Sequence, residues 1–315
     1  VNRSWRQHGA TILADAMRAP LRLIRGTTPL HDDEGFAPVF IVGSGRCGST
    51  LLRRMLMTSP QIHIPPETAM LPQILHAFQR RRDLPWPELV RMTVSRFEYH
   101  RDFDIFNMSL RHVAVELLST AKPQRSLARI LDAIYRAHAE QHSRPTARWG
   151  DKTPYNVYVM DDIMRTFPDV QFVILIRDGV DVVESMLSRN VMASTLAEGA
   201  ERWRSAVVAG ERFARRHPSS CHEVRYESLV DHPVQEMQRL CAFLDLEFVP
   251  AMIDSLASAE SMHDVQRFEH FEETARPVTT SHIGKGRRNL TEEQRRQLDA
   301  LIGEDLRRLN YPAAM

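Results

Sequence analysis

Gly43 and Gly48 keep the GxxxxG spacing in Phe40-Ile41-Val42-Gly43-Ser44-Gly45-Arg46-Cys47-Gly48-Ser49-Thr50, the pattern of a loop whose backbone amides converge on phosphate oxygens. A triphosphate-binding loop places lysine directly after its last glycine, where it reaches the β- and γ-phosphates; this chain has Ser49 there. The cradle is kept and the triphosphate hook is missing. Arg46 offers a different cation from inside the loop. Glycine also serves tight strand-to-helix turns for steric reasons alone, so the loop by itself leaves anion binding and a structural turn both open.

A second basic constellation follows the apolar run Gln171-Phe172-Val173-Ile174-Leu175-Ile176: Arg177 comes first, then Ser185 and Arg189 one helical turn apart. Ligands of open α/β sheets sit beyond the carboxyl ends of the strands. Arg177 is therefore expected beside the loop that holds Arg46, and two cationic points on one rim suit two phosphates.

The elements that must position these residues follow from pattern. The apolar Pro38 to Val42 predicts a first strand, and Leu51 to Leu56 a helix whose N-terminus faces the anion. Glu67 to about Gln141 carries helical spacing, strongest over Leu89 to Phe97 and Leu127 to Ala139, and broken at Pro85 and Pro87. A short strand at Ala147 to Gly150 leads to a helix with Thr153 as cap and Pro154 at its first position, ending near Pro168. Gln171 to Ile176 reads as a buried parallel strand followed by a helix from Gly179. Leu196 to Arg215, a strand at Cys221 to Arg225, Pro233 to Leu244, and a last helix from Thr291 to about Leu309 complete the series. The expected fold is α/β, a P-loop-type parallel sheet flanked by helices, with a helical insertion after the first βα unit. The domain plan is an amphipathic leader over 1–35 and a single domain over 36–315. Within it, 69–141 is the helical insertion and the irregular 260–289 a lid or substrate loop.

With 43% hydrophobic and 26% charged residues among 315, the chain can bury a full core. Lys+Arg 41 against Asp+Glu 40 leaves a formal charge of +1, which gives no global field for nucleic acid, and no nucleic-acid partner is expected. The three cysteines Cys47, Cys221 and Cys241 make neither a disulfide framework nor a zinc pattern. With no apolar run near the ~20 residues of a membrane span, a soluble, cytoplasmic protein is expected. Residues Arg3 to Arg25 alternate apolar positions with arginines. They leave open a helix touching lipid peripherally, one packed on its own domain, and one packed on a partner subunit in a homodimer.

The runs Phe40 to Leu52 and Phe172 to Arg189 together resemble the paired 5′-phosphosulfate and 3′-phosphate motifs of sulfotransferases that use 3′-phosphoadenosine 5′-phosphosulfate (PAPS). The resemblance is to the tyrosylprotein and bacterial sulfotransferase branch. Pro66-Glu67-Thr68 and Lys152-Thr153-Pro154 match two further motifs of that branch, and weaker likeness continues through Val224 to Leu229 and Ile283 to Asn289. The resemblance implies PAPS as donor, the bisphosphate PAP as product and no metal requirement. Glu67 is implied as general base, with Arg46 and Lys152 neutralising charge as sulfur is attacked. Gly45, Arg46, Cys47, Gly48, Ser49 and Thr50 would hold the 5′-phosphate. Arg177, Ser185 and Arg189 would hold the 3′-phosphate, and Tyr226, Ser281, Lys285 and Arg287 complete the donor set. His63 is a rival base, since other branches use histidine.

The tyrosylprotein members carry Lys-Asp-Pro where this chain has Lys152-Thr153-Pro154, and they are anchored in a secretory compartment by a membrane span. Their disulfide cysteines have no evident counterparts among the three in this chain. The acceptor expected is therefore a hydroxyl of a small molecule, glycan or lipid. Two other classes compete. A P-loop kinase or ATPase would use Asp178 as a displaced Walker-B acid, against which Ser49 argues; a non-catalytic nucleotide-binding module would not need Glu67.

Overall fold

The computed structural model describes residues 26–67, 69–145, 147–254 and 279–315. Five parallel strands form one sheet in the order β2-β3-β1-β4-β5: β1 (Val39–Gly43), β2 (Ile62–His63), β3 (Arg148–Lys152), β4 (Gln171–Ile176) and β5 (Cys221–Arg225). Alternate residues of β1 feed two separate cores. Phe40 and Val42 join Phe172, Ile174 and Trp203 on one face; Val39 and Ile41 join Val173, Leu175, Leu52 and Leu240 on the other. Burial on both faces is why these strands read as continuous apolar runs rather than alternating ones.

Helix α1 (Ser49–Met57) leaves β1 through the glycine loop. Between β2 and β3 lie α2 (Leu71–Arg81), α3 (Trp86–Glu98), α4 (Arg111–Leu118) and α5 (Leu127–Gln141), whose apolar stripes pack into the first core. Ser126 caps α5 by accepting from the Arg129 amide, 2.9 Å. Past β3 come α6 (Met160–Thr166), then, after β4, α7 (Gly179–Ser188) and α8 (Leu196–Arg216). After β5 follow α9 (Tyr226–Asp231), α10 (Pro233–Leu244), α11 (Lys285–Asn289) and α12 (Glu292–Arg308). A full capping box between Thr291 and Gln294 starts α12 where the sequence places it.

Three expectations change. The third strand runs to Lys152 rather than ending at Gly150, which puts the lysine on the sheet. The helix expected from Thr153 is broken: residues Pro154–Tyr158 make a 3₁₀ turn, Val159 leaves helical geometry at φ −126, and only Met160–Thr166 is α-helical. Asn156 donates to the Asp151 carboxylate at 2.9 Å, a local bond that competes with a continuous helix. The stretch 260–289 is not irregular to its end. Residues 279–289 form a tight turn and α11, tied to α7 by amides of Gly284 and Gly286 donating to Asp181 at 2.9 and 2.7 Å. The rest of the proposed lid and the leader over 1–25 lie outside the described residues.

Candidate active site

All five strands release a chemically marked residue at the same edge of the sheet. Arg46 follows β1, Glu67 follows β2, Lys152 ends β3, Arg177 follows β4 and Tyr226 follows β5. Parallel pairing brings these ends level: Ile41 is opposite Lys152, Gly43 opposite Leu175, and Ile176 opposite Arg225. This is the carboxyl rim where α/β proteins bind ligands.

The glycine loop is shaped by what surrounds it. Gly48, the N-cap of α1, sits at φ 98, and a Cβ there would lie 2.4 Å from the Tyr226 ring. Only glycine allows both the left-handed backbone and the aromatic contact. Arg46 itself has φ 64, a strained conformation for a residue with a side chain. Its Nε donates to Ser185 Oγ at 3.1 Å, joining the loop to α7. Cys47 points into the second core with no exposure, and burial pushes its thiol up to about 11. Its contribution to an anion site is therefore backbone, not sulfur. Ser49 and Thr50 open α1, where amide donors favour an anion.

Lys152, 2% exposed, places Nζ 2.5 Å from Glu67 Oε1 and 3.3 Å from Thr50 Oγ1. Glu67 keeps 42% of its side chain exposed, so one carboxylate is open to an incoming group while its cation is held inside. Tyr155 lies on the same rim, just past Lys152-Thr153-Pro154. A Cβ on Gly45 would come 3.3 Å from its hydroxyl and 2.3 Å from Met192 Sδ. Burial raises the Tyr155 phenol, and the charge of Glu67 adds to the effect. Sequence reasoning missed Tyr155 and Met192; for Tyr155, direct adjacency to the lysine motif was the available signal.

The guanidinium of Arg177 stacks over Tyr226, 4.3 Å from the ring centre. Its NH1 donates to the Arg46 carbonyl at 3.3 Å and NH2 to the His282 carbonyl at 3.0 Å, while Asp181 stands 3.7 Å away. Among the described residues its buried Nε has no hydrogen-bond partner, a donor that an anion would satisfy. Arg189 caps the C-terminal end of α7, one turn past Ser185.

The tail residues divide. Lys285 begins α11, half-buried, and Ser281 is exposed with its carbonyl accepting from Arg288 at 2.9 Å. Arg287 is committed elsewhere: NH1 pairs with Asp178 at 2.5 Å, Nε donates to the Ala313 carbonyl at 2.8 Å and NH2 to that of Pro312 at 2.5 Å. Asp178 is engaged in turn, capping α7 through the Val180 amide. Burial raises its carboxyl, as it does that of neighbouring Glu227. These contacts leave Asp178 poorly suited to the Walker-B role. His63 is 1% exposed and bonded through Nε2 to His138 Nδ1 at 2.8 Å, which removes it from reach of an acceptor. Burial, the neighbouring imidazoles and Arg53 press His138 down to about 2.

The sequence profile of the Sulfotransferase family matches residues 38–250. Protein-tyrosine sulfotransferase 1 of Danio rerio is 25% identical over 310 residues, covering 95% of this chain and 79% of its own length. The protein-tyrosine sulfotransferase of Drosophila melanogaster is 24% identical over 221 residues, and only 39% of its length is covered. Among solved structures, the sulfotransferase domain from the Synechococcus PCC 7002 olefin synthase superposes with a TM-score of 0.58 at 21% identity, over 86% of this chain and 97% of that one. The sulfotransferase domain from the curacin biosynthetic pathway gives 0.55 at 18%, over 88% and 98%. These two likenesses carry the fold. The cytoplasmic expectation is overturned by the curated relatives, which are protein-tyrosine sulfotransferases, the branch anchored in a secretory compartment. Unpaired cysteines and a missing apolar run do not decide compartment; among the described residues no helix is long and apolar enough to cross a membrane.

Proposed function

The chain belongs to the Sulfotransferase family, and on that footing we propose that it transfers the sulfonate of PAPS to the phenolic hydroxyl of a protein tyrosine. The observation that carries the reading is the contact of Lys152 with both Glu67 and Thr50, which joins a base, a cation and an anion cradle in one place. The acceptor class is supported by the protein-tyrosine sulfotransferases matched along most of the chain. A small-molecule, glycan or lipid hydroxyl is the second reading, favoured by Thr153 in the lysine motif and by three free cysteines.

The residues fit the donor. The loop from Gly45 to Thr50 turns through a Gly48 that the Tyr226 ring leaves no room to substitute, and the Arg177 Nε, without a hydrogen-bond partner among the described residues, lies on the same rim. The donor supplies an activated sulfonate whose transfer needs no metal clamp, since its terminal oxygens carry less charge than a γ-phosphate. Backbone amides from Gly45 to Thr50, with the Ser49 and Thr50 hydroxyls, hold the 5′-phosphate. Arg177, Ser185 and Arg189 hold the 3′-phosphate through charge-assisted bonds, with Tyr226 as the wall behind Arg177. Lys285 and Ser281 close that end, and Arg287 holds it up from behind through Asp178. Glu67 accepts the proton of the acceptor hydroxyl as the new S–O bond forms. Lys152 and Arg46 meet the negative charge left on the departing 5′-phosphate oxygen.

The test offers sulfur-labelled donor with tyrosyl peptides, simple phenols, glycans and lipids. Label on tyrosine is expected, and Glu67→Gln should abolish it. Label confined to a non-tyrosyl acceptor would shift the reading to the second one. Tight binding of magnesium-ATP with none of PAP would remove the reaction class itself.

A further inference from the structure

Away from the transfer site, the helical insertion meets the sheet edge through three imidazoles. His63 ends β2, His138 stands in the last turn of α5, and His142 is the residue that caps that helix. The i,i+4 spacing of His138 and His142 sends both rings to one side of α5, toward β2. One ring nitrogen from each of the three lies within 4.8 Å of the other two.

A hydrogen bond between His63 Nε2 and His138 Nδ1, 2.8 Å long, accounts for two of these rings as packed core. It gives no reason for the third to converge on them. The rings of His138 and His142 stack with centres 4.3 Å apart, and Phe106 meets His138 edge-on at 4.8 Å. His142 Nδ1 donates to the His138 carbonyl at 2.8 Å, which fixes its tautomer and leaves the lone pair on Nε2. A carbonyl orienting a ring through one nitrogen and leaving the lone pair on the other is the arrangement seen behind metal-bound histidines.

We infer that His63, His138 and His142 form a zinc-class metal site that staples the helical insertion to β2. Zinc accepts imidazole nitrogens at about 2.0–2.1 Å, so tetrahedral ligands stand roughly 3.3 Å apart. The 2.8 Å pair and the 4.8 Å limit bracket that spacing, and the stacked rings of His138 and His142 turn out of their stack for both in-plane lone pairs to meet one ion. Three nitrogen ligands with no thiolate suit zinc, copper or nickel rather than magnesium or calcium. Among the described residues no carboxylate belongs to the cluster, which leaves the fourth position of a tetrahedral ion to water or an exogenous ligand. Two of the rings are buried, and half-exposed His142 supplies the entry path. The site is separate from the PAPS rim, but the chain runs from β2 through Ile64, Pro65 and Pro66 to Glu67. Metal occupancy would steady the segment that carries the base.

The experiment strips the full chain with a chelator and titrates it with zinc by calorimetry and with cobalt(II) by visible absorption. One zinc per chain is expected, with the intense d–d bands of four-coordinate cobalt and a rise in melting temperature. His142→Ala, at a half-exposed position, should fold and bind PAP as the parent does. Its zinc affinity should fall by more than the roughly 10–100-fold that losing an outer partner costs, the cobalt bands should vanish, and zinc should no longer raise its melting temperature. Absence of zinc binding by the parent chain, or equal affinity and cobalt spectra in parent and variant, would overturn the inference.

Discussion

Lys152 Nζ is held 2.5 Å from Glu67 Oε1 and 3.3 Å from Thr50 Oγ1, so a single buried ammonium spans from the end of the β2 segment to the first turn of α1. Neither neighbour is close in sequence. The pair exists because parallel pairing of β3 with both β1 and β2 sets Lys152 between them. If Glu67 is the base, removing its charge should harm chemistry and spare donor binding. Glu67→Gln is expected to lower kcat by roughly 10²–10⁴-fold, the range for a positioned acid or base, with PAP affinity little changed. An unchanged kcat would take Glu67 out of the reaction.

Arg177 has two jobs to separate. Its NH1 supports the Arg46 carbonyl, so Arg177→Ala should weaken any nucleotide that uses the loop. The 3′-phosphate adds a charge-assisted bond worth about 1.5–3 kcal/mol. PAP should therefore lose about that much more than adenosine 5′-phosphosulfate, measured by calorimetry on both ligands. Equal losses would mean that Arg177 only shapes the loop.

The Gly48–Tyr226 contact is testable by paired substitution. Gly48→Ala drives a methyl to 2.4 Å from a ring carbon and keeps φ 98, so it should cost about 1–3 kcal/mol in denaturant unfolding and abolish PAP binding. Adding Tyr226→Ala removes the clash and leaves the backbone strain. The double variant should be more stable than the sum of the two single losses predicts. Strict additivity would show that the ring is not what excludes a side chain.

The sequence made the cradle and the Arg177 strand legible because each couples a continuous apolar run to residues directly after it. The same signal failed for β2. Two residues, Ile62–His63, followed by Pro65 and Pro66, are too few to show a period, yet that strand positions Glu67 and the edge of the sheet. Lys152 read as a loop residue because a charged side chain late in a short run looks like its end. Its contacts with Glu67 and Thr50 explain its burial on a strand. Arg287 misled for a different reason: its partners Asp178, Pro312 and Ala313 are remote or beyond the last helix, and no local pattern reports them.

That network predicts a stability role for Arg287. The Asp178 side chain is 7% exposed and that of Arg287 18%, so removing the cation leaves a buried carboxylate unpaired. Arg287→Ala should destabilise the fold by about 3–5 kcal/mol, and Asp178→Asn added to it should recover part of the loss. At temperatures where the variant is folded, PAP affinity should match the parent. A stable Arg287→Ala chain that has lost PAP would return this arginine to the 3′-phosphate pocket.

The thiols give a pH-dependent prediction with a definite sign. Burial pushes Cys47 and Cys241 up to about 11 and Cys221 to about 12, against about 8.5 for an unfolded cysteine. For Cys47 that burial outweighs the opposing backbone bonds and the charges of Arg177 and Lys152. At pH 8 the native chain should therefore react with iodoacetamide far more slowly than the denatured chain, in which all three thiols label. A raised thiol value means that the native state holds its proton where the unfolded state releases it. The stabilisation is whole below about pH 8.5 and is lost as pH climbs toward 11. Denaturant midpoints should fall over that window, and Cys47→Ala should flatten the fall without altering transfer at pH 7, since its sulfur faces the core. Rapid native labelling of Cys47 at pH 8 would mean that the loop opens and exposes a reactive thiolate to ligand.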